Sequence, residues 1–410
     1  MGGMGPRQKT GVKPAGKHKY LVIAVVVLMA MAGAWFFVHR TPKPAANASQ
    51  TAQNTHSSTA KEPDTIRFIA TGDELPHDSV NANAKTSGGY NYLPFFSQIQ
   101  PYMTSADMSY CNQESPSDPD QPVIGYPTFN APQSFAEDLS KVGCNVINLA
   151  NNHADDDGQS GIDATLKVWS GLPKLAAAGI NSSAAQQSQI ATFTEKGVKF
   201  AFLSYAQCSN NKGVSSYGLN VFSQSLADQQ IAAARAQHVD MIIAAMHSCD
   251  ENRSTEDGWQ DQTAQYFANK GVDIVIGTGP HWLQPAQRLK KAGGGTTAVW
   301  YSLGNMLNTQ LDVNGLVSGI AIMDIDAKTK TVTSMGFMPT YMHYYWTAAQ
   351  KAAGDQAART DLMIYPLDQA AAAMAHSQDS TTVQAQTERV AQLMNSYTPV
   401  TMYTSKSFPR

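Results

Sequence analysis

From residue 65 onward one pattern recurs. A short apolar run rich in β-branched residues is followed by a polar or ionisable residue, and then by a stretch with helical periodicity. Such runs read as buried strands, and their alternation with helices predicts an α/β fold with largely parallel sheets. Strands are expected over 66–70, 107–111, 146–149, 241–246, 272–276 and 298–302, and helices over 135–142, 162–169, 226–237 and 261–270. Residues 191–194 and 197–203 read as a hairpin, and 319–325 with 331–337 as a closing antiparallel pair.

The residues just past these strands are Asp73, Glu114, Asn152 with His153, His247, His281 and Asn305. Parallel strands bring their carboxyl ends to one edge, where α/β proteins bind ligands. Asp, Glu, Asn and His together offer mixed oxygen and nitrogen donors, which suit a divalent cation. The densest stretch, 145–158, runs from the strand Val146-Ile147-Asn148-Leu149 into Asn151-Asn152-His153 and three consecutive aspartates. An Asx-rich turn capping the next helix explains the same residues without a ligand. The convergence of six strand ends favours a common site.

The amino-terminal part has a different character. Residues 20–38 are uninterruptedly apolar, and as a helix would be about 28 Å long, close to the hydrocarbon thickness of a bilayer. Five basic residues, Arg7, Lys9, Lys13, Lys17 and Lys19, precede the run, and Arg40 and Lys43 follow. That asymmetry predicts a cytoplasmic amino terminus and an external remainder. A cleaved signal peptide is the rival, with Ala32-Gly33-Ala34 as its small-residue site, but Trp35-Phe36-Phe37-Val38 extends the apolar run beyond it. The expected organisation is a basic cytoplasmic tail (1–19), a transmembrane anchor (20–39), a flexible linker (40–64), the main domain (65–340) and an Ala/Gln-rich, helical carboxyl-terminal segment (341–410). A net charge of −3 gives no reason to expect nucleic-acid binding. In an oxidising compartment Cys208 and Cys249, each in a loop after neighbouring strands, are expected to be bridged. Cys111 and Cys144 read as a poorer pair at opposite ends of their strands, and four buried free thiols are the alternative.

Thr71-Gly72-Asp73, Asn112-Gln113-Glu114, Ala150-Asn151-Asn152-His153 with Asp156 and Gly158, His247 with Glu251, Gly277 through His281, and Tyr301-Ser302-Leu303-Gly304-Asn305 resemble, in order, the motifs of the CapA family. That family is linked to capsule and poly-γ-glutamate synthesis and belongs to the metallophosphoesterase-like superfamily. The resemblance implies a four-layer α/β/β/α sandwich with the site at the strand ends. It also implies metal ligation by Asp73, Glu114, Asn152, His247 and His281. His153 would be the acid at the leaving group, with Asp156 and Glu251 in the catalytic set, and Asn151 and Asn305 would touch substrate.

Two expected histidines are missing: Glu74 and Leu75 follow Asp73, and Gly279 stands where relatives carry His. One divalent ion is therefore expected rather than two, and restoring Gly279→His is expected to raise metal content. His77 reads as an exposed loop residue. The implied function is metal-assisted hydrolysis or transfer on an external anionic capsule polymer or its precursor. The alternative is a non-catalytic assembly subunit docked on a membrane synthase or exporter.

Overall fold

The computed structural model describes residues 64–211, 215–377 and 379–409. The apolar run 20–38 lies outside these residues. No helix among the described residues is long and apolar enough to cross a membrane.

Two sheets carry the architecture. The first runs in the order Thr360–Pro366, Thr331–Tyr345, Val317–Asp326, Thr65–Glu74, Met108–Gln113, Val146–Asn148, Ala176–Ala178, with Asn305–Leu307 also beside Thr65–Glu74. The last four of that order are mutually parallel, Asn305–Leu307 is parallel to Thr65–Glu74, and the first three join antiparallel. In the second sheet, Val198–Ala206, Met241–His247, Ile274–Thr278 and Thr296–Trp300 are parallel, with antiparallel strands Ala191–Glu195 and Ala286–Lys290 at its edges. The expected α/β class and the hairpin over 191–203 are both present.

Side-chain alternation along Val198–Ala206 shows how the layers stack. Phe200 and Phe202 join the core that contains the first sheet, whereas Ala201, Leu203 and Tyr205 join a second core with Ile231, Ala234 and Phe267. The period of two along a strand thus sends one set of residues between the sheets. The other set lies under helices Gln224–Ala236 and Gly258–Asn269. Ring pairs Tyr110–Phe202 and Trp300–Phe337, with centroids 6.1 and 6.0 Å apart, tie the sheets face to face.

The carboxyl-terminal segment is not simply helical. The Thr331–Tyr345 strand passes through residue 340, and Thr360–Pro366 pairs with it, burying Leu362 and Ile364. The Ala/Gln-rich composition conceals a strand that completes the sheet edge. Helix Val383–Met394 follows, burying Val390 and Met394.

Both cysteine pairs are bridged. Cys208–Cys249 joins the two loops as expected, with Cα atoms 6.3 Å apart. Cys111–Cys144 is bridged as well, at 5.7 Å, which corrects the reading of these two as a poor pair. Cys111 lies inside a strand that continues to Gln113, and its register partner is Ile147. Extended in line, Cys144 would lie about 10 Å farther along the sheet. The turn at Gly143, with φ 121°, brings it back over the neighbouring strand instead. Each bridge is expected to contribute on the order of 3–4 kcal/mol by restricting the unfolded chain. Peptide mapping without reduction should recover both cross-linked pairs; alkylation of all four cysteines under those conditions would exclude them.

Candidate metal centre

Asp73, Glu114 and His247 end three strands of the two facing sheets. Each offers one ligand atom, and these atoms lie within 4.8 Å of one another. All three side chains are at most 1% exposed. Asn152 joins them: its Oδ1 is 2.9 Å from His247 Nε2. His247 Nδ1 pairs with Thr278 Oγ1 at 3.0 Å, which fixes the ring and turns Nε2 toward the cluster. Burial pushes the His247 pKa down to about 3, so the ring is neutral and competent to ligate.

The donor set fits a divalent cation. Glu114 Oε1 is buried without a hydrogen-bond partner among the described residues, 3.6 Å from His247 Nε2. Burial and the Asp73 charge hold the Glu114 carboxyl well above the usual carboxylate range. A cation removes both penalties by compensating the buried carboxylates.

His281 also reaches the pocket, and its Nδ1 is engaged there with Asp73 and Asn305. Its Nδ1 faces two acceptors, Asp73 Oδ2 at 3.1 Å and Asn305 Oδ1 at 2.9 Å, so it carries a proton and orients Asp73. Burial alone would lower its pKa, but the Asp73 hydrogen bond and charge raise it. Asp73 is lowered in turn: burial opposes ionisation, but His281, His247 and Asn112 outweigh it.

His153 and Asp156 form a dyad, with Nδ1 donating to Oδ2 at 2.7 Å. The same Asp156 oxygen accepts from the Phe129 backbone N–H at 2.7 Å, and the imidazole packs edge-on against Phe129. The arrangement fixes the tautomer and leaves Nε2 of His153 for acid–base work. Glu251 is exposed, with its Oε1 3.9 Å from His281 Nε2.

Asn151 and Asn305 were expected to touch substrate, but both are fully buried and their amides are already engaged. Asn151 donates to the Gln113 carbonyl at 2.8 Å and accepts from the His153 N–H at 3.2 Å. Asn305 donates to Gln310 and accepts from His281. Both brace the loops that carry other site residues. His77 is half-buried rather than exposed, edge-on to Phe129, and its Nδ1 accepts from the Thr309 N–H at 3.3 Å.

Asn112 escaped the sequence reading. Its amide donates to Asp73 Oδ1 at 2.8 Å and accepts from Asn148 at 2.7 Å. Its position two residues before Glu114 near a strand end was the available signal, since that spacing repeats a strand face.

Restoring a histidine at 279 is incompatible with this geometry. Gly279 has φ +98°, and a Cβ there would lie 2.0 Å from the Ser248 carbonyl oxygen. Its N–H instead donates to Asp73 Oδ2 at 3.2 Å.

Comparison with known proteins places these residues in a family. The PGA biosynthesis protein CapA of Bacillus subtilis (strain 168) is 23% identical over 314 residues, covering 73% of this chain and 74% of that protein. The capsule biosynthesis protein CapA of Bacillus anthracis is 24% identical over 233 residues, covering 54% of this chain and 55% of that one. Among solved structures, a 5'-nucleotidase precursor from Thermus thermophilus superposes with a TM-score of 0.42 at 11% identity, over 67% of this chain and 54% of that chain. So loose a likeness carries no argument about chemistry. The bacterial capsule synthesis protein PGA_cap family matches residues 67–310, more than half of the chain and every strand end that builds the cluster, and the chain belongs to that family.

Proposed function

We propose that this capsule-synthesis protein is a metal-dependent hydrolase or transferase acting on an anionic capsule polymer or its precursor, such as γ-linked polyglutamate. The observation that carries the reading is the buried Asp73–Glu114–His247 group beside Asn152, with one Glu114 oxygen left without a hydrogen-bond partner among the described residues. We read the two-sheet fold as metallophosphoesterase-like on the same ground. A bound divalent cation supplies Lewis acidity to a substrate oxygen. The protein's residues do the rest. His281 orients Asp73, Asn112 holds its other oxygen, and the neutral His247 ring is fixed by Thr278. His153 delivers a proton from Nε2 to the leaving group while Asp156 stabilises the imidazolium.

Metal analysis of the purified full chain, paired with a polymer-cleavage assay, tests the reading. About one tightly held ion per chain and turnover lost on chelation are expected. Because a proton occupies Glu114 above the usual carboxylate range, a metal must displace it, so apparent metal affinity should rise with pH. Full polymer binding with neither metal nor turnover would instead favour the assembly subunit, a reading supported by the glycine at 279.

The proposal includes location. The run 20–38 anchors the chain and the domain from residue 65 lies outside the cell, near membrane synthase or export subunits. The support is the basic asymmetry around the run, together with two disulfides that suit an oxidising compartment. Protease added to intact cells should remove the domain; protection until lysis would refute this.

A further inference from the structure

Arg359 lies beyond the residues matched by the family and has no role in the cluster described above. It precedes the Thr360–Pro366 strand and is 3% exposed. Its guanidinium carbon sits 4.5 Å from the Trp346 ring centroid and 5.1 Å from that of Tyr344. Nη1 donates to the Thr309 carbonyl, while Nε and Nη2 are buried and have no partner among the described residues. A buried cation with two unpartnered donors is expensive to keep unless something completes it. The planar fork presents paired donors at the spacing of an oxyanion.

Arg359 lines a cavity of about 380 Å³, together with His77, Ser79, Thr309, Gln356 and Glu251. Glu251, through its approach to His281, connects the cavity with the acid–histidine cluster. Two further carboxylates face the space. Asp78 accepts from the Gly125 N–H and Asp312 from the Asn314 N–H. Three carboxylates around one guanidinium oppose a dianion more strongly than a monoanion. The cavity therefore suits a single carboxylate on a neutral, amide-like chain better than a phosphate.

We infer that Arg359 is a specificity-determining residue that receives one carboxylate of the substrate in this cavity beside the metal cluster. The inference rests on reading that cluster as the place where the polymer is processed.

Calorimetric titration of the full chain with a short γ-linked glutamate oligomer tests it, with inorganic phosphate as competitor. Arg359→Met should weaken oligomer binding about tenfold to a hundredfold, through loss of a charge-assisted fork. Arg359→Lys keeps the charge without the fork and should fall between. Gln356→Trp, at an exposed position on the cavity wall, should block binding without touching the guanidinium, and it decides the matter if Arg359→Met fails to fold. Unchanged binding in either variant, once melting shows it folded, overturns the inference. Phosphate competing as well as the oligomer itself overturns the carboxylate assignment. Arg359-dependent binding that survives in an inactive Asp73→Asn chain upholds the subsite even if the wild-type chain proves not to be a hydrolase. Normal turnover and normal binding in Arg359→Met reject the subsite and leave the hydrolase reading standing.

Discussion

Asp73→Ala is expected to abolish metal binding at the proposed site and to lose about 3–5 kcal/mol of stability, the loss seen when one partner of a buried ion pair is removed. Asp73 accepts from Asn112 at 2.8 Å, from the Gly279 N–H at 3.2 Å and from His281 at 3.1 Å. Alanine takes the acceptor away from all three buried donors at once. The pH dependence distinguishes this pair from a simple cavity. Asp73 is lowered in the folded state, so its contribution is present above the unfolded carboxylate value and lost as pH falls through the lowered one. His281 is raised, so its contribution is present below the unfolded imidazole value and lost as pH rises through the raised one. The difference between wild type and variant should therefore be largest between about pH 4 and 6.5 and shrink on either side. Chemical denaturation of metal-free protein across this range measures it; a difference that stays constant with pH would show that the ion pair is not its source.

Gly279→His is expected to destabilise the fold by about 2–6 kcal/mol and to leave metal content no higher. Two terms add. A non-glycine residue at φ +98° is strained by about 1–3 kcal/mol. Overpacking against a fixed backbone oxygen costs at least about 1–3 kcal/mol more, and the Ser248 carbonyl oxygen 2.0 Å from the new Cβ cannot move away cheaply because it belongs to backbone. The loop would have to shift, and with it the N–H that holds Asp73. Thermal melting and metal analysis of the variant settle the point: a stable protein carrying a second ion would show that the loop accommodates the histidine.

The strand ends were legible because their chemistry contrasts sharply with the apolar runs before them. Asp73, Glu114, Asn152, His247 and His281 lie together, three of them forming the buried ligand group, and the charge of His153 is felt at His247. Their division of labour was not legible. That His281 Nδ1 orients Asp73 depends on its placement between two acceptors, Asp73 and Asn305. Asn151 and Asn305 look like substrate contacts in a motif, yet loop closure buries both. Arg359 was invisible because nothing near it in the chain is a polar cluster; Thr309, Tyr344 and Trp346 reach it only when the carboxyl-terminal strand docks. Cys144 was misjudged because a single glycine turn changed the path into its strand.

The Thr65–Glu74 strand sits in the middle of its sheet, between Met108–Gln113 on one side and Val317–Asp326 on the other. A chain synthesised from its amino end produces this strand early and its second neighbour about 250 residues later. At about 5–20 residues per second that is a wait of roughly 10–50 s. Throughout it, one hydrogen-bonding edge of an apolar strand has no native partner, which invites pairing with other chains. Order of synthesis thus sets a period of vulnerability, and production of this protein should depend on a chaperone that occupies that edge until the last strands arrive.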